Sequence, residues 1–318
     1  MAINHIEIKD FLVFKGGFAM DFSPGVNVII GGNGMGKSTI LKCLYDLKQS
    51  YILYPKEIND FDGVGSFEDG LVVVSEPKSE VQEREWGTAY LGGKIRNFLY
   101  IPEKDILEHA KGLLPFIEQK PTGFSQIYKD TLVNAQDIPT NKQNELQRKT
   151  GGIITGIIGG YIEWVQSEGA FYTVRTDGMR IPFSAEASGF KKLGYLGLLV
   201  ASGQLSPGTV LFWDEPENSL NPELVPTLVD VLLDLSSNGV QIFIATHNYN
   251  LARYFDVRKN KEIPVMFHKL SSTDNGQIEC YSSIEYIKLP NNHMEKASAN
   301  LFKAVVNDGF GIWEDEDE

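Results

Sequence analysis

A glycine-rich stretch that ends in a lysine and a hydroxyl residue is the part of this 318-residue chain best suited to chemistry. Residues 31–38 read GGNGMGKS and fit the phosphate-loop pattern G-x-x-x-x-G-K-[ST] without a mismatch. Glycines let successive backbone N–H groups turn toward a phosphate chain, and a following helix adds its positive N-terminal end. We expect Lys37 to reach the β- and γ-phosphates of ATP and Ser38 to place its hydroxyl on Mg²⁺. The predicted nucleotide-binding residues are Asn33, Gly34, Met35, Gly36, Lys37, Ser38 and Thr39.

Two adjacent acids follow the apolar run at residues 210–213. Carboxylates at the C-terminal end of a buried parallel strand lie where open α/β sheets bind their ligands. We therefore expect Asp214 to join Ser38 around Mg²⁺, and Glu215 to polarise an attacking water as a general base. An acid pair after a strand is, taken alone, usually a solvated turn or a helix cap. The phosphate loop is what favours the functional interpretation.

A histidine follows a second apolar run, at residues 240–245. An isolated histidine is more often structural than catalytic, and the chain has five. Only His247 directly follows a predicted buried strand of the central sheet. We expect it to contact a γ-phosphate or the attacking water, so Glu215 and His247 are the predicted catalytic residues.

These side chains need a sheet that brings three strand ends together. A β-branched run predicts a strand at 26–30, and helical spacing of apolar residues predicts a helix at 39–47. The order of strand, glycine-rich loop and helix indicates the α/β class. Further predictions are strands at 3–8, 71–74, 97–101, 210–213 and 240–245, helices at 188–201 and 222–235, and hairpins at 171–183 and 265–282. The mostly polar segment 103–150 predicts a small helical lobe.

Composition limits the classes of protein to which the chain can belong. The formal net charge is −13, with 42% hydrophobic and 22% charged residues, which is ordinary for a globular protein and excludes wholesale disorder. Neither a membrane helix nor a secretion signal is predicted, and two cysteines make no disulfide framework. We expect a single domain over 1–318, in the cytoplasm, with no membrane partner. The acidic tail at 314–318 is expected to be a solvated end, with a docking role as the less favoured alternative.

The motifs together resemble those of ABC-type ATPases, in the RecF, SMC and OLD-like branch. The resemblance rests on residues 6–11 and 22–29, on the phosphate loop, on 214–222 (DEPENSLNP) and on 246–248 (THN). It implies an ABC-type P-loop NTPase head with a mixed central sheet, an N-terminal antiparallel β region and an inserted helical lobe. It also implies a D-loop formed by Asn218, Ser219 and Asn221.

Residues 185–193 (AEASGFKKL), called here the signature segment, occupy the place of the ABC signature motif. In ABC-type ATPases this motif acts across a dimer on the opposite subunit's γ-phosphate, and the resemblance assigns that role to Ser188, Gly189, Lys191 and Lys192. The motif is degenerate, since its second glycine is Phe190 and its usual Gln or Glu is Lys191. The two lysines either add positive charge for that contact or form a solvated helix face. Residues 100–105 stand near the expected place of a glutamine-containing loop, with no role assigned.

The resemblance also suggests partners. The chain between the phosphate loop and the signature segment leaves room for a small lobe instead of a long coiled coil, and no nuclease pattern follows His247. Stand-alone heads of this kind resemble the ATPase subunits of bacterial anti-phage systems such as Septu and PARIS. They imply an ATP-dependent homodimer that controls a separate effector, such as a nuclease, with nucleic acid contacted through the complex. The alternatives are a DNA recombination or repair ATPase that binds DNA directly, which the charge of −13 disfavours, and a transporter ATPase subunit.

Overall fold

The structure, a computed structural model, describes residues 2–53, 65–67, 70–74, 80–84, 87–92, 95–119, 125–137, 143–260 and 263–311. Its strands are β1 (Ala2–Phe11), β2 (Phe14–Asp21), β3 (Val26–Gly31), β4 (Gly65–Phe67), β5 (Gly70–Val74), β6 (Glu80–Arg84), β7 (Gly87–Gly92), β8 (Asn97–Ile101), β9 (Gly160–Val165), β10 (Ala170–Arg175), β11 (Arg180–Pro182), β12 (Thr209–Asp214), β13 (Gln241–Thr246), β14 (Val265–Ser272) and β15 (Ile278–Ser283). Its α-helices are α1 (Lys37–Leu53), α2 (Ala110–Gln119), α3 (Gln126–Asn134), α4 (Glu145–Ile158), α5 (Ser188–Ala201), α6 (Val225–Ser237), α7 (Tyr249–Arg258) and α8 (His293–Gly311).

A mixed central sheet has the strand order β15-β14-β3-β13-β12-β8. The five strands from β14 to β8 run parallel, and β15 is antiparallel at the edge. The predicted strands at 26–30, 97–101, 210–213 and 240–245 all lie in this sheet, so those predictions are confirmed. Because the strands are parallel, the loops after β3, β13, β12 and β8 leave the same edge, where ligands bind in such folds.

The central sheet is covered on both faces, which explains its continuous apolar runs. Val28 and Trp213 pack with helices α5, α6 and α7 in one buried cluster. Ile29 and Phe212, one residue away along the same strands, pack with α1 and the N-terminal strands in another. Alternate side chains of a strand point to opposite faces, so each short run contributes to both clusters.

The N-terminal strands form a separate antiparallel sheet in the order β2-β1-β7-β6-β5-β4, which confirms the N-terminal antiparallel β region that the resemblance implies. A buried amide joins it to the central sheet at the start of β13. The Gln241 side chain accepts a hydrogen bond from the N–H of Ile3 at 2.8 Å and donates to the carbonyls of Ile3 and Ser23, also at 2.8 Å. One side chain therefore satisfies three backbone groups inside the protein.

Helices α2, α3 and the start of α4 occupy the segment 103–150, in agreement with its predicted helical content. Helix α4 runs on to Ile158, past the predicted end of the lobe. A capping box of Asn144 and Gln147 begins this helix, and Gly159 ends it with a φ of +65°. These caps at both ends stabilise the helix and offset the low helix propensity of the glycines within it. That this segment is an insertion stays a prediction.

Both predicted hairpins are present. Strands β10 and β11 pair antiparallel, and β9 joins β10 to make a three-stranded sheet; β14 pairs with β15. Helix α8 was not predicted. Cys43 and Cys280 are free thiols. The acidic tail lies outside the described residues, and among those that are described no helix has the length and apolar character needed to cross a membrane.

Candidate functional site

The phosphate loop connects β3 to α1 at the carboxyl edge of the central sheet. Gly36 has a φ of +89°, and a Cβ at this position would lie 2.5 Å from the ring of Phe14. Both facts favour glycine there, as the motif requires. Helix α1 begins at Lys37, so the N–H groups of residues 37–39 belong to a first turn, which has no partners for them within the helix. Asn33 and Gly34 are exposed, Met35, Gly36, Ser38 and Thr39 are half-buried, and Lys37 is buried.

Lys37 bonds within its own loop in this structure. Its Nζ donates to the carbonyls of Gly31 at 2.9 Å and Gly32 at 3.0 Å. Burial lowers the pKa of Lys37, and the carboxylates of Glu215 and Asp214 oppose that shift. The loop lysine and the acid pair therefore act on one another electrostatically, as expected of one site.

The two predicted magnesium ligands lie close together. Burial raises the pKa of Asp214, and the nearby hydroxyl of Ser38 opposes the shift. The Tyr100 hydroxyl lies 3.5 Å from Asp214 Oδ2. One hydroxyl and one carboxylate suit Mg²⁺, which keeps several waters and takes phosphate oxygens for the rest of its shell. Across the described residues, no group of three or more His, Cys, Asp or Glu side chains could hold a metal by itself.

The two predicted catalytic side chains are hydrogen-bonded to each other. His247 Nδ1 and Glu215 Oε1 lie 2.8 Å apart. Glu215 has a φ of +49°, in the left-handed region that non-glycine residues rarely adopt, and its N–H donates to the carbonyl of Ala245 at 2.9 Å. Such strain persists only where surrounding contacts hold it, and it concentrates at functional sites. Neighbouring strand ends of β12 and β13 thus bring the pair together.

One of those contacts comes from the signature segment. Lys192 is 7% exposed, and its Nζ donates to the backbone carbonyl of Glu215 at 2.8 Å. Lys191 is 6% exposed and pairs with the carboxylate of Glu108. The alternative of a solvated helix face is therefore wrong for both lysines, because tertiary partners bury them. In this structure their charges bond within one chain, and a contact with a second chain stays a prediction.

Ser188 and Gly189 begin helix α5. Ser188 is exposed, and the preceding Ala187 provides no side-chain cap, so the first turn keeps its N–H groups open. Gly189 is buried against the D-loop, since a Cβ there would lie 2.6 Å from the carbonyl oxygen of Ser219. The signature segment and the D-loop of one chain are thus in direct contact.

The D-loop residues take local roles that the sequence did not reveal. The N–H of Asn218 donates to the carbonyl of Glu215 at 3.1 Å, and Ser219 has a φ of +65°. The Asn221 side chain accepts from the N–H of Glu223 at 3.2 Å and so caps the short helix Pro222–Leu224. A part for these residues in catalysis remains a prediction.

Sequence reasoning gave no role to a third acid of the DEPE run. Glu217 is 8% exposed, and the Thr246 hydroxyl donates to its Oε1 at 2.5 Å. Burial raises the pKa of Glu217, and the neighbouring His247 opposes the shift. Glu217 and Thr246 therefore link the loop after β12 to the loop after β13. The sequence did contain a signal for this link, because Glu217 and Thr246 lie within the motifs at 214–222 and 246–248. Other residues of these two motifs had already been assigned the functional roles.

Two protein-family models match the chain. An AAA domain described as "putative AbiEii toxin, Type IV TA system" matches residues 96–253, and an AAA ATPase domain matches residues 1–85. The first match contains the acid pair, His247 and the signature segment, and the second contains the phosphate loop.

Curated relatives match more weakly. The structural maintenance of chromosomes protein 3 homolog of Plasmodium falciparum is 36% identical over 66 residues, which are 21% of this chain and 5% of that protein. The arginine transport ATP-binding protein ArgV of Corynebacterium glutamicum is 22% identical over 228 residues, 71% of each chain. The chain thus spans only a small part of the first relative.

Solved structures match the fold over nearly the whole chain. An SmcHead bound to the C-winged helix domain of ScpA has a TM-score of 0.54 at 15% identity and covers 89% of this chain and 98% of its own. An Smc head domain with an extended coiled coil, bound to the C-terminal domain of ScpA from Pyrococcus furiosus, has a TM-score of 0.50 at 14% identity, over 95% and 99%. The solved structures show the fold of an SMC/ABC-like ATPase head, and the motifs at one sheet edge together with the two family matches support an ATP-binding head of that type.

Proposed function

We propose that the chain hydrolyses Mg-ATP and that two copies close around two nucleotides. The observation that carries the proposal is the 2.8 Å hydrogen bond between His247 and Glu215, at the sheet edge that also holds Lys37 and the Ser38–Asp214 pair. A lysine for phosphate, a hydroxyl and carboxylate for Mg²⁺ and a carboxylate for water are the groups that phosphoryl transfer to water requires.

Hydrolysis joins the oxygen of a water molecule to the γ-phosphorus and breaks the bond to the β–γ bridging oxygen. Glu215 accepts the proton that the water loses, and ADP and inorganic phosphate leave. His247 holds the Glu215 carboxylate through their shared hydrogen bond and faces the γ-phosphate. Ser38 and Asp214 would hold Mg²⁺, whose charge neutralises phosphate oxygens. Lys37 would exchange its bonds to the loop carbonyls for bonds to phosphate.

The position of the signature segment supports the proposed dimer. Ser188 is exposed at an uncapped helix start, whereas the predicted ATP contacts of the same chain belong to the loop after β3. The proposal therefore assigns Ser188 and Gly189 to the nucleotide of the second copy, as the resemblance to ABC-type ATPases implies. Nucleotide binding would close the pair, and hydrolysis would open it.

Replacing Glu215 with Gln tests the chemistry and the dimer together. The amide keeps the size of the side chain and its acceptor oxygen for His247 but cannot take a proton, so turnover should fall by about 10²–10⁴-fold. ATP should then trap a dimer, measurable by size-exclusion chromatography with light scattering. The matched control is Lys37→Ala in the same background, which should stay monomeric with ATP. A Glu215→Gln protein that remains monomeric with ATP and turns over at the wild-type rate would contradict the proposal.

We further propose that this head is the sensor or regulatory subunit for a separate effector, such as a nuclease, in bacterial anti-phage defence. The support is the description of one matching family as a putative toxin of a type IV TA system, together with the resemblance to the Septu and PARIS ATPase subunits. Mass spectrometry of proteins that co-purify with the tagged chain tests this proposal. An effector recovered in stoichiometric amount is the expected result, and a membrane permease would instead favour the transporter alternative.

A DNA recombination or repair ATPase is the second candidate, since one relative is a structural maintenance of chromosomes protein. Its test is an electrophoretic shift assay on the purified chain alone. ATP-stimulated binding that weakens steeply with salt would favour direct DNA contact over a separate effector. We expect no such binding, because the net charge is −13.

A further inference from the structure

A buried ion pair lies directly before the signature serine. The Glu186 side chain is 5% exposed, and its two carboxylate oxygens accept hydrogen bonds from Nη2 of Arg175 at 3.0 and 2.8 Å. The same carboxylate accepts from the N–H of Ala187 at 3.0 Å. Three donated bonds thus fix a carboxylate two residues from Ser188, and a charge with this burial is retained only when it is paired.

Arg175 is itself fixed by two further elements. It ends strand β10, and its Nη1 donates to the carbonyl of Ile158, the last residue of α4. The start of strand β9 can lie close to the end of β10 because its first residue is Gly160, where a Cβ would lie 2.2 Å from the carbonyl oxygen of Val174. The guanidinium therefore joins the end of α4, the end of β10 and the start of the signature segment.

The pair also decides where the Glu186 carboxylate points. Ala187 is the N-cap of α5 and has no side chain able to cap it. The carboxylate of Glu186 lies at this helix start, since it accepts from the N–H of Ala187, and the open N–H groups of the first turn attract negative charge. Arg175 binds and neutralises that carboxylate, so that it neither turns to the first-turn N–H groups nor repels a phosphate there.

We propose that Arg175 and Glu186 are positioning residues, which hold Ser188 and the open first turn of α5 in register with the nucleotide bound by a second copy of this chain. This inference rests on the proposed dimer. It gives a role to Arg175, which lies outside both motifs, and to Glu186, which lies in the signature segment but is not among its predicted functional residues. It predicts that the pair affects closure of the dimer and leaves nucleotide binding by one chain unchanged.

The test uses the full chain carrying Glu215→Gln, in which ATP should trap the dimer. Adding Arg175→Met removes the guanidinium and retains much of its length. We expect the dimer dissociation constant in ATP to rise by about 10²-fold, the order of effect of a misplacement of about 1 Å at a reacting centre. The affinity of the monomer for a fluorescent ATP analogue should not change. In the otherwise wild-type chain, the same substitution should lower kcat and leave KM unchanged, a split that general loss of structure would not produce.

Arg180→Met is the matched control. Arg180 lies on the next strand of the same hairpin and pairs with Glu163 at 3.3 Å, with both side chains 44% exposed. Exposed pairs contribute little, so this variant should dimerise like its Glu215→Gln parent. Arg175→Lys, which keeps a charge but loses the second nitrogen that bonds to the carbonyl of Ile158, should recover part of the affinity.

Glu186→Gln covers the case in which Arg175→Met does not fold. The amide can still accept from the N–H of Ala187, and it removes only the charge. Dimerisation weakened by about tenfold supports the inference, since the salt bridge then becomes a hydrogen bond from the charged guanidinium to a neutral amide oxygen. The inference is overturned if a folded variant of either residue dimerises with the constant of its parent. If the Glu215→Gln parent itself does not dimerise in ATP, the proposed function fails first, and this inference fails with it.

Discussion

The phosphate loop and the signature segment, which would meet at one nucleotide in the proposed dimer, are held in place in opposite ways. Lys37 finds its partners five and six positions away, in the carbonyls of its own loop. Lys191 bonds to Glu108, 83 positions away, and Lys192 bonds to the carbonyl of Glu215, 23 positions away. The first motif is built from local geometry, and the second depends on contacts from several distant elements.

This difference separates the consequences of substitution in the two motifs. A loop that closes on itself can lose its functional lysine without disturbing the rest of the fold. A helix start held by distant partners transmits any disturbance to them, including to the backbone of the predicted catalytic base. The following predictions test that contrast.

The largest effect is expected for Lys37→Ala, on nucleotide binding. Hydrogen bonds to charged groups contribute about 1.5–3 kcal/mol, so the loss of even one to phosphate weakens ATP binding by about 10–100-fold. Because the cost of burying the Lys37 charge offsets its two hydrogen bonds to the loop carbonyls, its removal should leave the stability of the nucleotide-free protein almost unchanged. Isothermal titration calorimetry and thermal melting measure the two effects. Lys111→Ala, on an exposed position of α2, is the control; a Lys37→Ala chain that binds ATP normally would end the assignment.

A smaller effect, on folding, is expected for Gly189→Ala. The new Cβ would lie 2.6 Å from the Ser219 carbonyl oxygen, so the D-loop must shift, at a cost of about 2 kcal/mol. Urea unfolding measures this cost. The control is Gly152→Ala in α4, where nothing lies within 4 Å of the added carbon and higher helix propensity should stabilise by about 0.5–1 kcal/mol. Equal stabilities for the two variants would show that the signature segment is no more constrained than an ordinary helix.

The smallest effect is expected for Asp105→Asn, and it depends on pH. Burial raises the pKa of Asp105 from 3.8 to about 6, against the opposing charge of Lys191. The folded chain therefore holds this proton more tightly than the unfolded chain, so stability falls as pH rises from about 3.8 to about 6 and stays lower above that range. Asparagine has no proton to lose and can still accept from the N–H of Leu107, as Asp105 does at 3.1 Å.

The variant should consequently be more stable than wild type at pH 7, by about 1 kcal/mol because a half-buried carboxyl keeps part of its hydration. At pH 4 the difference should disappear. Chemical unfolding of both proteins at the two pH values measures it. A difference that is the same at both would show that Asp105 does not titrate in this range.

The parts of the site that the sequence predicts are those that local rules determine. The glycines of the phosphate loop, the runs before Asp214 and His247 and the Asp177-Gly178 turn each specify their own backbone, and their strands and hairpin are confirmed. The family resemblance then predicted that these motifs lie together at one edge of the central sheet.

What the sequence could not predict depends on partners far along the chain. For Lys191 and Lys192, the sequence favoured neither a solvated helix face nor a contact with a second chain. Only the fold shows that Glu108 and the carbonyl of Glu215 lie beside them. Arg175 and Glu186 stand eleven positions apart, in a strand and a loop that show no common period. Helix α8 was not predicted either, and most of its described side chains are exposed, Leu301, Phe302 and Val305 among them.

The amide of Gln241 has a consequence for how the head can move. The Gln241 side chain is 1% exposed, so replacement by leucine would remove three hydrogen bonds that water cannot replace. The carbonyl of Ser23 would keep its bond from the Asn27 side chain, whereas the N–H and the carbonyl of Ile3 would each lose the amide as a partner. Sliding or tilting of the N-terminal sheet against the central sheet would break the same bonds. The contact between the two sheets is therefore rigid. Any conformational change on nucleotide binding must occur elsewhere in the head, and the two sheets would move as one rigid body.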